Sequence, residues 1–429
     1  MSLGVLVVFL AGCRNDAEAE ADVGVAEEEE VDVGESFEPF ERPAELSGEG
    51  RWIPGDLHVH SSGASNDTPR HSTPERVRVV GEERGLEFVV LTDHSNSTGS
   101  DPWTLEEDPA LYNQGPEFPH WDRVAGLSDE TFLLVQGNEL SPVHSSTALP
   151  TGHIGCIPRS LTNFNPNIAF VDRPRGEVTG GEALEQAIAV NCFSILNHPY
   201  GTAWISYDWT SYDYHAMEVW NGGLWFSLFD ERGLKAWGCD LSQGRRVTPV
   251  GGSDNHDVES EPPGELLRPA MGVPTTWVWA PGLDWDQIVA GLEVGEVSIS
   301  DTGTPLDIDV FDGEGRWLAM AGGDVEGGDV TVRLRGARMA DGPSEARNLK
   351  LYRQPAGVCE DNRSEGQIRV PEPNWEVLRS VPVVVGASFD EQWEVTLEAG
   401  DVIFAMVVPD EIGSEQDVSI SGPVYVGWE

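Results

Sequence analysis

Apolar and polar positions follow two different patterns along the chain. Between residues 51 and 300, short apolar runs alternate with segments of helical periodicity. After residue 300, short runs with partial two-residue alternation are separated by Gly, Pro and Asp clusters. Strands that alternate with helices predict a mainly parallel sheet, whereas closely spaced short strands predict an all-β unit. We therefore predict an α/β unit over residues 51–304 and a smaller, β-sandwich-like unit over residues 305–429.

The α/β unit is predicted to contain seven strands and three helices. The strands are predicted at 52–59, 87–91, 131–135, 192–196, 217–220, 246–250 and 297–300. The helices are predicted at 74–84, 180–190 and 284–292, the first because Thr73 and Pro74 form a cap followed by a first-turn proline. In the second unit, strands are predicted at 306–311, 329–335, 349–353, 375–385, 393–397 and 402–408.

The first residues form an apolar run from Leu3 to Gly12 that is followed by Cys13. About ten apolar residues are too few to span a bilayer as a helix, but they suit the core of a signal peptide. The Leu-Ala-Gly-Cys ending resembles a bacterial lipobox, so residues 1–13 are predicted to be a lipoprotein signal peptide with Cys13 lipidated. The alternative is an apolar N-terminal segment with an accidental cysteine. The prediction implies an exported bacterial lipoprotein of the cell envelope, held at the membrane by its lipid alone.

Composition adds a tether and excludes one class of partner. Residues 14–50 are dominated by Asp, Glu, Ala and Gly, and such a segment buries too little apolar surface to offset its ordering entropy, so we predict a disordered tether. The formal net charge of −48 argues against a nucleic-acid partner, which needs a basic face. Two or four of the remaining cysteines would pair in an exported protein, but their spacing does not define the pairs. They are Cys156, Cys192, Cys239 and Cys359.

Six of the ten histidines lie in short motifs, most of which follow an apolar run. The motifs are His58-Val59-His60, Thr92-Asp93-His94, Gly137-Asn138-Glu139, Gly152-His153, Asn197-His198-Pro199 and Ser253-Asp254-Asn255-His256. Two histidines two residues apart on an extended chain project to the same side, where both can bind one metal ion. Imidazole and carboxylate ligands without thiolate are typical of Zn, Mn or Fe(II) sites. The motifs therefore predict a metal site beyond the strand ends.

This ordered set of motifs, from about Arg51 to Ser300, resembles the polymerase and histidinol phosphatase (PHP) family of metal-dependent phosphoesterases. Within that family it resembles most a branch of secreted or surface metallohydrolases that includes a carbaryl hydrolase. Periodicity alone leaves a barrel and a doubly wound sheet open. The resemblance implies a distorted seven-stranded β/α barrel, with two or three divalent ions (Zn, Mn or Fe) as cofactors.

The resemblance also implies nine metal ligands in three positions. They are His58, His60, Glu139 and Asp254 for the first metal, His94 and His256 with Asp67 for the second, and His153 and His198 with the shared Glu139 for the third. His144 is the alternative to His153, and Asp93 either binds metal or orients a ligand. A metal-bound water oriented by Asp254 and His256 is the nucleophile that this pattern implies.

The expected reaction is hydrolysis of a small phosphate ester by metal-bound hydroxide. One alternative is hydrolysis of a carbamate or carboxylic ester on the same metals. Another is a catalytically inactive surface binding lipoprotein. Arg70, Arg245 and Arg246 are candidates for binding the substrate, and a plain surface position is the alternative for each. The expected partner is a small ester, and the sequence carries no signal for an oligomeric state.

Overall fold

The computed structural model describes the chain from residue 50 to residue 428, with gaps. It describes residues 50–65, 67–94, 116–140, 153–168, 170, 180–199, 214–222, 226–261, 264–265, 268–357, 359, 372–411 and 414–428. The predicted signal peptide with Cys13 and the acidic segment up to residue 49 lie outside the described residues, as does His144. No helix in the described ranges is long and apolar enough to cross a membrane.

The described part of residues 51–300 contains both helices and strands. The strands are β1 (Arg51–Val59), β2 (Phe88–Leu91), β3 (Leu133–Gln136), β4 (Asn138–Leu140), β5 (His153–Pro158), β6 (Cys192–Asn197), β7 (Ala216–Asn221), β8 (Phe226–Ser227), β9 (Thr248–Gly252), β10 (Gly264–Glu265), β11 (Arg268–Pro269), β12 (Thr275–Ala280) and β13 (Val297–Ser300). The helices are α1 (Pro74–Glu83), α2 (Trp121–Ala125), α3 (Gly180–Ala189), α4 (Leu228–Ser242) and α5 (Trp285–Val294). All ten predicted elements of this part are present, with ends shifted by at most two residues.

Sequence reasoning missed the longest of these helices, α4. Its two glycines interrupt the helical pattern of apolar residues, but Gly238 is needed for packing, because a Cβ there would lie 2.9 Å from the ring of Trp375. A signal was present at the start of the helix. Ser227 and Asp230 form a reciprocal capping box. The Ser227 side chain accepts a hydrogen bond from the backbone N–H at Asp230, and the Asp230 side chain accepts one from the backbone N–H of Ser227.

The strands with the histidine motifs lie in two sheets. In the first, β1, β2 and β3 are parallel neighbours, and β12 and β13 continue the sheet on the other side of β1 in antiparallel order. In the second sheet the order is β4-β5-β6-β7-β9, and β6, β7 and β9 are parallel. The carboxyl ends of the parallel strands therefore meet along a common edge in each sheet.

The α/β class is confirmed, but the described strands do not close into the predicted seven-stranded barrel. The chain leaves the first sheet after β3 and enters the second at β4, with Gly137 between them. At the other seam, the segment after β9 meets β1 through an isolated bridge between Asn255 and Val59. Asp254 has a φ of 54° there, which is incompatible with strand geometry, so the ladder cannot continue along β1.

The described chain after Ser300 consists of strands and turns. The strands are β14 (Asp307–Phe311), β15 (Trp317–Met320), β16 (Asp324–Val325), β17 (Gly328–Ala337), β18 (Arg347–Gln354), β19 (Glu376–Val383), β20 (Ser388–Leu397), β21 (Val402–Val408), β22 (Ser414–Glu415), β23 (Ser419–Ser421) and β24 (Val424–Val426). One sheet has the order β15-β14-β17-β20, and side chains such as Ile308 and Leu334 share a core with Leu349 and Ala405 of the other strands. Because β23 pairs with β13, the predicted boundary near residue 305 does not interrupt the larger sheet.

The four cysteines after Cys13 form two disulfide bonds. Cys156 is bonded to Cys192, which joins the antiparallel neighbours β5 and β6 across 5.1 Å between Cα atoms. Cys239 in α4 is bonded to Cys359, across 5.2 Å between Cα atoms. The second bond links the helix to the segment that follows β18, so it ties the α/β part to the β part.

Candidate metal centre

Seven of the nine predicted ligands lie at or just beyond the end of a strand. His58 is near the end of β1, His60 follows it, and His94 follows β2; Glu139 is in β4, His198 follows β6, and Asp254 and His256 follow β9. His153 begins β5, but β5 is antiparallel to β6 and His153 pairs with Asn197, so its side chain belongs to the same edge. Asp67 comes from the loop after β1. The structure thus brings all nine predicted ligands together.

Glu139 lies at the centre of the cluster. Its Oε1 atom is 3.1 Å from Nε2 of His58, from Nδ1 of His153 and from Nε2 of His198. Its Oε2 atom is 3.2 Å from Nδ1 of His94 and 3.6 Å from Nε2 of His60. A carboxylate that faces five imidazoles from both of its oxygens would hold divalent ions together with those imidazoles.

Asp254 and Asp67 supply the other two carboxylates. Asp254 Oδ1 is 3.2 Å from Nε2 of both His58 and His60. Asp67 Oδ2 is 3.4 Å from Nε2 of His94 and 3.2 Å from Nε2 of His256. Asp67, which the sequence indicated least firmly because its loop is long, therefore lies beside the two histidines with which it was grouped.

Four sets of three side chains have one ligand atom each within 4.8 Å of one another. They are His60 with His94 and His256, His58 with Glu139 and His198, His58 with His60 and Asp254, and His94 with Glu139 and His153. These sets share members, as expected of neighbouring ions with bridging ligands. Their donors are imidazole nitrogen and carboxylate oxygen, the set that suits Zn, Mn or Fe(II).

Two buried atoms of the cluster fit a metal better than they fit a metal-free protein. His58 Nε2 and Asp67 Oδ1 are buried and make no hydrogen bond of good geometry within the described residues, and His58 Nε2 faces carboxylate oxygens of Glu139 and Asp254 at 3.1 and 3.2 Å. Leaving a buried polar atom without a partner costs about 1–3 kcal/mol. Coordination of a cation would satisfy both atoms, so the residues present fit a divalent ion.

Burial and neighbouring charges shift the pKa values of the cluster residues in different directions. Burial disfavours the charged form of His58, but the carboxylates of Asp254, Glu139 and Glu218 outweigh burial and raise its pKa well above the ordinary value. Burial, with the charges of His256 and His94, lowers the pKa of His60 to about 3. Burial opposes ionisation of Glu139 as well, but the histidines around it hold its pKa well below the ordinary value. The histidines around Glu139 thus favour its charged form, and divalent cations bound in their place would do the same.

Two ligands have a left-handed backbone conformation that is rare outside glycine. His198 has a φ of 27° and Asp254 a φ of 54°. Each such residue costs of order 1–3 kcal/mol and persists where the surrounding structure holds it. Their positions, directly after β6 and β9, turn both side chains off the strands at the edge where the cluster lies.

Sequence reasoning missed Glu218, which supports two of the ligands. Its Oε1 atom is 2.9 Å from Nδ1 of His58, and its Oε2 atom accepts a hydrogen bond from the backbone N–H of His198 at 2.6 Å. Glu218 is 3% exposed and is the only charged residue of β7. A carboxylate inside a buried apolar strand needs partners, and that signal could have identified it.

Asp93 orients other groups of the site. It is fully buried and accepts hydrogen bonds from the backbone N–H of Ser61 at 2.6 Å, from Ser61 Oγ at 2.9 Å and from Ser65 Oγ at 3.2 Å. Ser65 Oγ in turn lies 3.0 Å from Nδ1 of His60. Of the two roles predicted for Asp93, these contacts fit the orienting one.

The three arginines predicted to bind substrate are not brought into the cluster. Arg245 and Arg246 precede β9, whereas Asp254 follows it, so they lie at the opposite end of that strand. Arg245 forms an ion pair with Asp240 at 2.8 Å, and Arg246 forms one with Asp324 at 2.5 Å. Arg70 is exposed. Arg245 and Arg246 therefore lie at the end of β9 away from the cluster, each beside a carboxylate, and their role in binding substrate stays a prediction.

Comparison with known proteins finds distant structural neighbours. No protein-family model and no curated protein matches the chain. The fold is similar to that of a two-domain protein from Bacteroides vulgatus containing a predicted PHP-like metal-dependent phosphoesterase, with 13% identity and a TM-score of 0.42 over 88% of this chain and 96% of that one. It is similar to the lesion-specific endonuclease EndoQ from Pyrococcus furiosus, with 17% identity and a TM-score of 0.37 over 58% of each chain. It is also similar to PsfC from Pseudomonas syringae, with 17% identity and a TM-score of 0.31 over 54% of this chain and 83% of that one. These findings do not support the narrower resemblance to the carbaryl hydrolase branch.

Proposed function

We propose that the protein is a metal-dependent hydrolase that cleaves a small phosphate ester at the cluster around Glu139. The observation that carries the proposal is the convergence of six histidines and three carboxylates with two buried atoms, His58 Nε2 and Asp67 Oδ1, that lack a hydrogen bond of good geometry. Divalent ions bound there would activate water near neutral pH and neutralise charge on the ester oxygens. No side-chain nucleophile is then required.

The chain's own residues have distinct roles in this proposal. Glu139 faces histidines with both oxygens, so it holds neighbouring ligands at a fixed spacing. Asp254 and His256 lie on the more exposed side of the cluster, with side chains 23% and 28% exposed, where a substrate and its attacking water would enter. Their position supports a role in orienting that water.

The distribution of cations favours a small substrate over a nucleic acid. The formal net charge is −48, and many described arginines already bind a carboxylate. These pairs are Arg51–Glu87, Arg76–Glu259, Arg78–Asp129, Arg123–Glu75, Arg159–Glu293, Arg246–Asp324, Arg333–Asp390 and Arg353–Glu376. A nucleic-acid backbone needs unpaired cations on one face, and arginines with fixed acidic partners do not provide them.

A carbamate or carboxylic ester is the second candidate substrate. The same acidic surface favours it, because a neutral ester meets no long-range repulsion as it approaches. The two candidates share the cluster and the activated water, so fold and ligands do not separate them.

Export and anchoring through Cys13 belong to the same proposal. The two disulfides, Cys156–Cys192 and Cys239–Cys359, support an oxidising compartment such as the cell envelope. A lipid on Cys13 followed by the acidic segment would hold the enzyme at a membrane without inserting it.

Metal content and turnover on one preparation of the full-length chain test the proposal. We expect two or three equivalents of Zn, Mn or Fe, hydrolysis of an aryl phosphate, and loss of that activity in Asp254→Ala and in His58→Ala. Asp410→Ala is the matched control, because Asp410 is an exposed carboxylate that pairs with Lys350. Bound metal with turnover of an aryl carbamate or acetate alone would favour the second candidate. A chain that binds no metal after reconstitution would contradict both.

A further inference from the structure

The two histidines of the His58-Val59-His60 motif are held by different kinds of anchor. His58 Nδ1 lies 2.9 Å from a carboxylate oxygen of Glu218. His60 Nδ1 lies 3.0 Å from the hydroxyl of Ser65, which in turn donates to Asp93 at 3.2 Å. Each anchor occupies Nδ1, so both rings offer Nε2 to the cluster. The anchors differ in charge, since one is a carboxylate and the other a neutral hydroxyl.

Glu218 holds a second ligand with its other oxygen. Its Oε2 atom accepts the backbone N–H of His198 at 2.6 Å, and His198 has the left-handed φ of 27°. Nε2 of His58 and Nε2 of His198 both lie 3.1 Å from the same atom, Oε1 of Glu139. One buried carboxylate therefore sets the side chain of one ligand and the backbone of another on the same side of Glu139.

The fold preserves space for this arrangement. A Cβ on Gly252 would lie 2.4 Å from Cβ of His58 and 2.5 Å from Oε1 of Glu218. Any larger residue at the end of β9 would thus displace the hydrogen bond between His58 and Glu218. The absence of a side chain at position 252 is a requirement of the anchor.

A carboxylate anchor strengthens a histidine ligand more than a hydroxyl does. Donation of Nδ1–H to a carboxylate fixes the tautomer and makes Nε2 a stronger base, and charge-assisted hydrogen bonds are roughly twice as strong as neutral ones. Two residues near His94 are also more exposed than three of the histidines. The side chains of Asp67 and His256 are 23% and 28% exposed, whereas those of His58, His60 and His94 are 2%, 0% and 7% exposed.

We propose that Glu218 is a positioning residue that makes one metal position of the cluster the tightest. We call this the inner position and define it by His58, Glu139 and His198, one of the four sets described above, so that His58 is grouped with His198 and not with His60 as the resemblance implies. The outer position, defined by His60, His94, His256 and Asp67, fills second and exchanges more readily. The proposal rests on the proposed function only in requiring that the cluster bind divalent metal.

Metal titration of the full-length, metal-free chain tests this proposal. Zn²⁺ is added in competition with a chromophoric chelator, and the bound metal is counted by elemental analysis. We expect the wild type to bind one equivalent tightly and at least one more weakly. Glu218→Gln should weaken the tight equivalent by about 10–100-fold, because glutamine can accept from His58 but then turns its amide N–H₂ toward the N–H of His198. The weaker equivalent should be unchanged.

Glu117→Gln is the matched control. Glu117 is also a fully buried glutamate, and it accepts hydrogen bonds from a backbone N–H, that of Phe170 at 3.2 Å, and from the Asn138 amide at 3.2 Å. The Glu117→Gln variant should leave both metal-binding phases unchanged. Asp67→Asn should weaken only the outer equivalent. With one equivalent of Co²⁺, the visible spectrum of Glu218→Gln should differ from that of the wild type, whereas the spectrum of Glu117→Gln should not.

Three results would overturn the proposal, and one of them would also refute the proposed function. An unchanged tight phase in Glu218→Gln would show that Glu218 serves the fold alone. Equal weakening of both phases in that variant would show that it does not select the inner position. A wild-type chain that binds no metal would refute the proposed function, and this proposal with it.

Discussion

The metal cluster and the β part after Ser300 both bury charged groups, but they balance them differently. In the β part, buried carboxylates bind fixed guanidinium groups: Asp309 lies 3.0 Å from Arg335, and Asp417 lies 2.6 Å from Arg338. In the cluster, Glu139 and Asp254 face histidines. The positive charge of the β part is therefore supplied by the chain itself. The positive charge of the cluster depends instead on protons or on bound ions. The cluster therefore needs cations from solution, whereas the β part does not.

Removing bound metal ions from the cluster should have the largest effect on activity. Because the carboxylates of the cluster are paired with titratable histidines, treatment with a chelator should lower hydrolysis of an aryl phosphate by at least about 100-fold, a loss larger than that for outer-shell mutations. Added Zn²⁺ or Mn²⁺ should restore it. The measurement is turnover before and after treatment, with circular dichroism showing the β part intact. Full activity after complete metal removal would contradict the comparison.

Breaking a pair in the β part should have the opposite signature. Arg338→Met leaves Asp417 buried without its cation, and such a loss costs about 3–5 kcal/mol. We expect that decrease in the free energy of unfolding, with metal content per folded molecule unchanged. Arg333→Met is the control, because its pair with Asp390 is more exposed and should contribute about 0–1 kcal/mol. A loss of bound metal in folded Arg338→Met would show that the two regions are not independent.

Gly252→Ala adds a methyl group at a position beside the cluster where a Cβ has no room. The added Cβ would lie 2.4 Å from Cβ of His58, so His58 must move away from Glu139 and Glu218. We expect metal affinity to fall by about 10-fold or more, on the scale of lost supporting contacts, with a smaller change in stability. Gly313→Ala is the control, since a Cβ there meets nothing within 4 Å. Equal metal affinity in the two variants would show that the close approach of β9 and β1 is unimportant for the site.

Some residues of the cluster could be predicted from the sequence and others could not. The ligands were predictable because histidines and carboxylates recur after apolar runs, and parallel strands bring such positions to one edge. The position of Glu218 inside β7 indicates that it needs partners, but it does not show that these are His58 and the backbone of His198, which are distant in sequence. The positions of the arginines beside β9 relative to the cluster were not predictable, because a run of residues does not show which strand end faces the site.

The fold was predictable locally and less so globally. Strand and helix positions follow from periodicity and from caps such as Thr73 and Asp284, whose side chains accept from the backbone N–H groups of Arg76 and Gln287. Closure of a barrel depends instead on backbone geometry at its seams, and the φ of 54° at Asp254 leaves no trace in a hydrophobic pattern. The pairing of β13 with β23 likewise joins residues more than a hundred positions apart.

Ser65→Ala tests the weaker of the two histidine anchors. Loss of the hydroxyl removes the link between Asp93 and His60, and also an acceptor for the backbone N–H of His94 at 3.1 Å. We expect the weaker metal equivalent to lose about 3–10-fold in affinity, the worth of about 1 kcal/mol. Ser62→Ala is the control, because the partner of Ser62 Oγ among the described residues is the exposed carbonyl of Arg70, at 3.3 Å. An effect on the tight equivalent alone would contradict the division into inner and outer positions.

Asp301 is the exception in the β part and gives the smallest predicted effect. Its carboxylate accepts hydrogen bonds from the backbone N–H groups of Asp417 and Val418, each at 2.9 Å. Burial, outweighing these hydrogen bonds and reinforced by the charge of Asp417, raises its pKa from 3.8 to about 7. A raised acid pKa means that the stabilising, protonated form is fully present below about pH 4 and is lost as the pH rises through about 7. The free energy of unfolding of the wild type should therefore fall relative to that of Asp301→Asn over this range, by on the order of 1 kcal/mol, since Asp301 as a whole residue is partly exposed and solvent screens the cost. Denaturant titrations of both proteins at several pH values measure the difference.

Asp410→Asn is the control, because Lys350 lowers the pKa of Asp410 and no divergence is expected above pH 4. Parallel curves for the wild type and Asp301→Asn would show that Asp301 is charged throughout, held by backbone N–H groups alone.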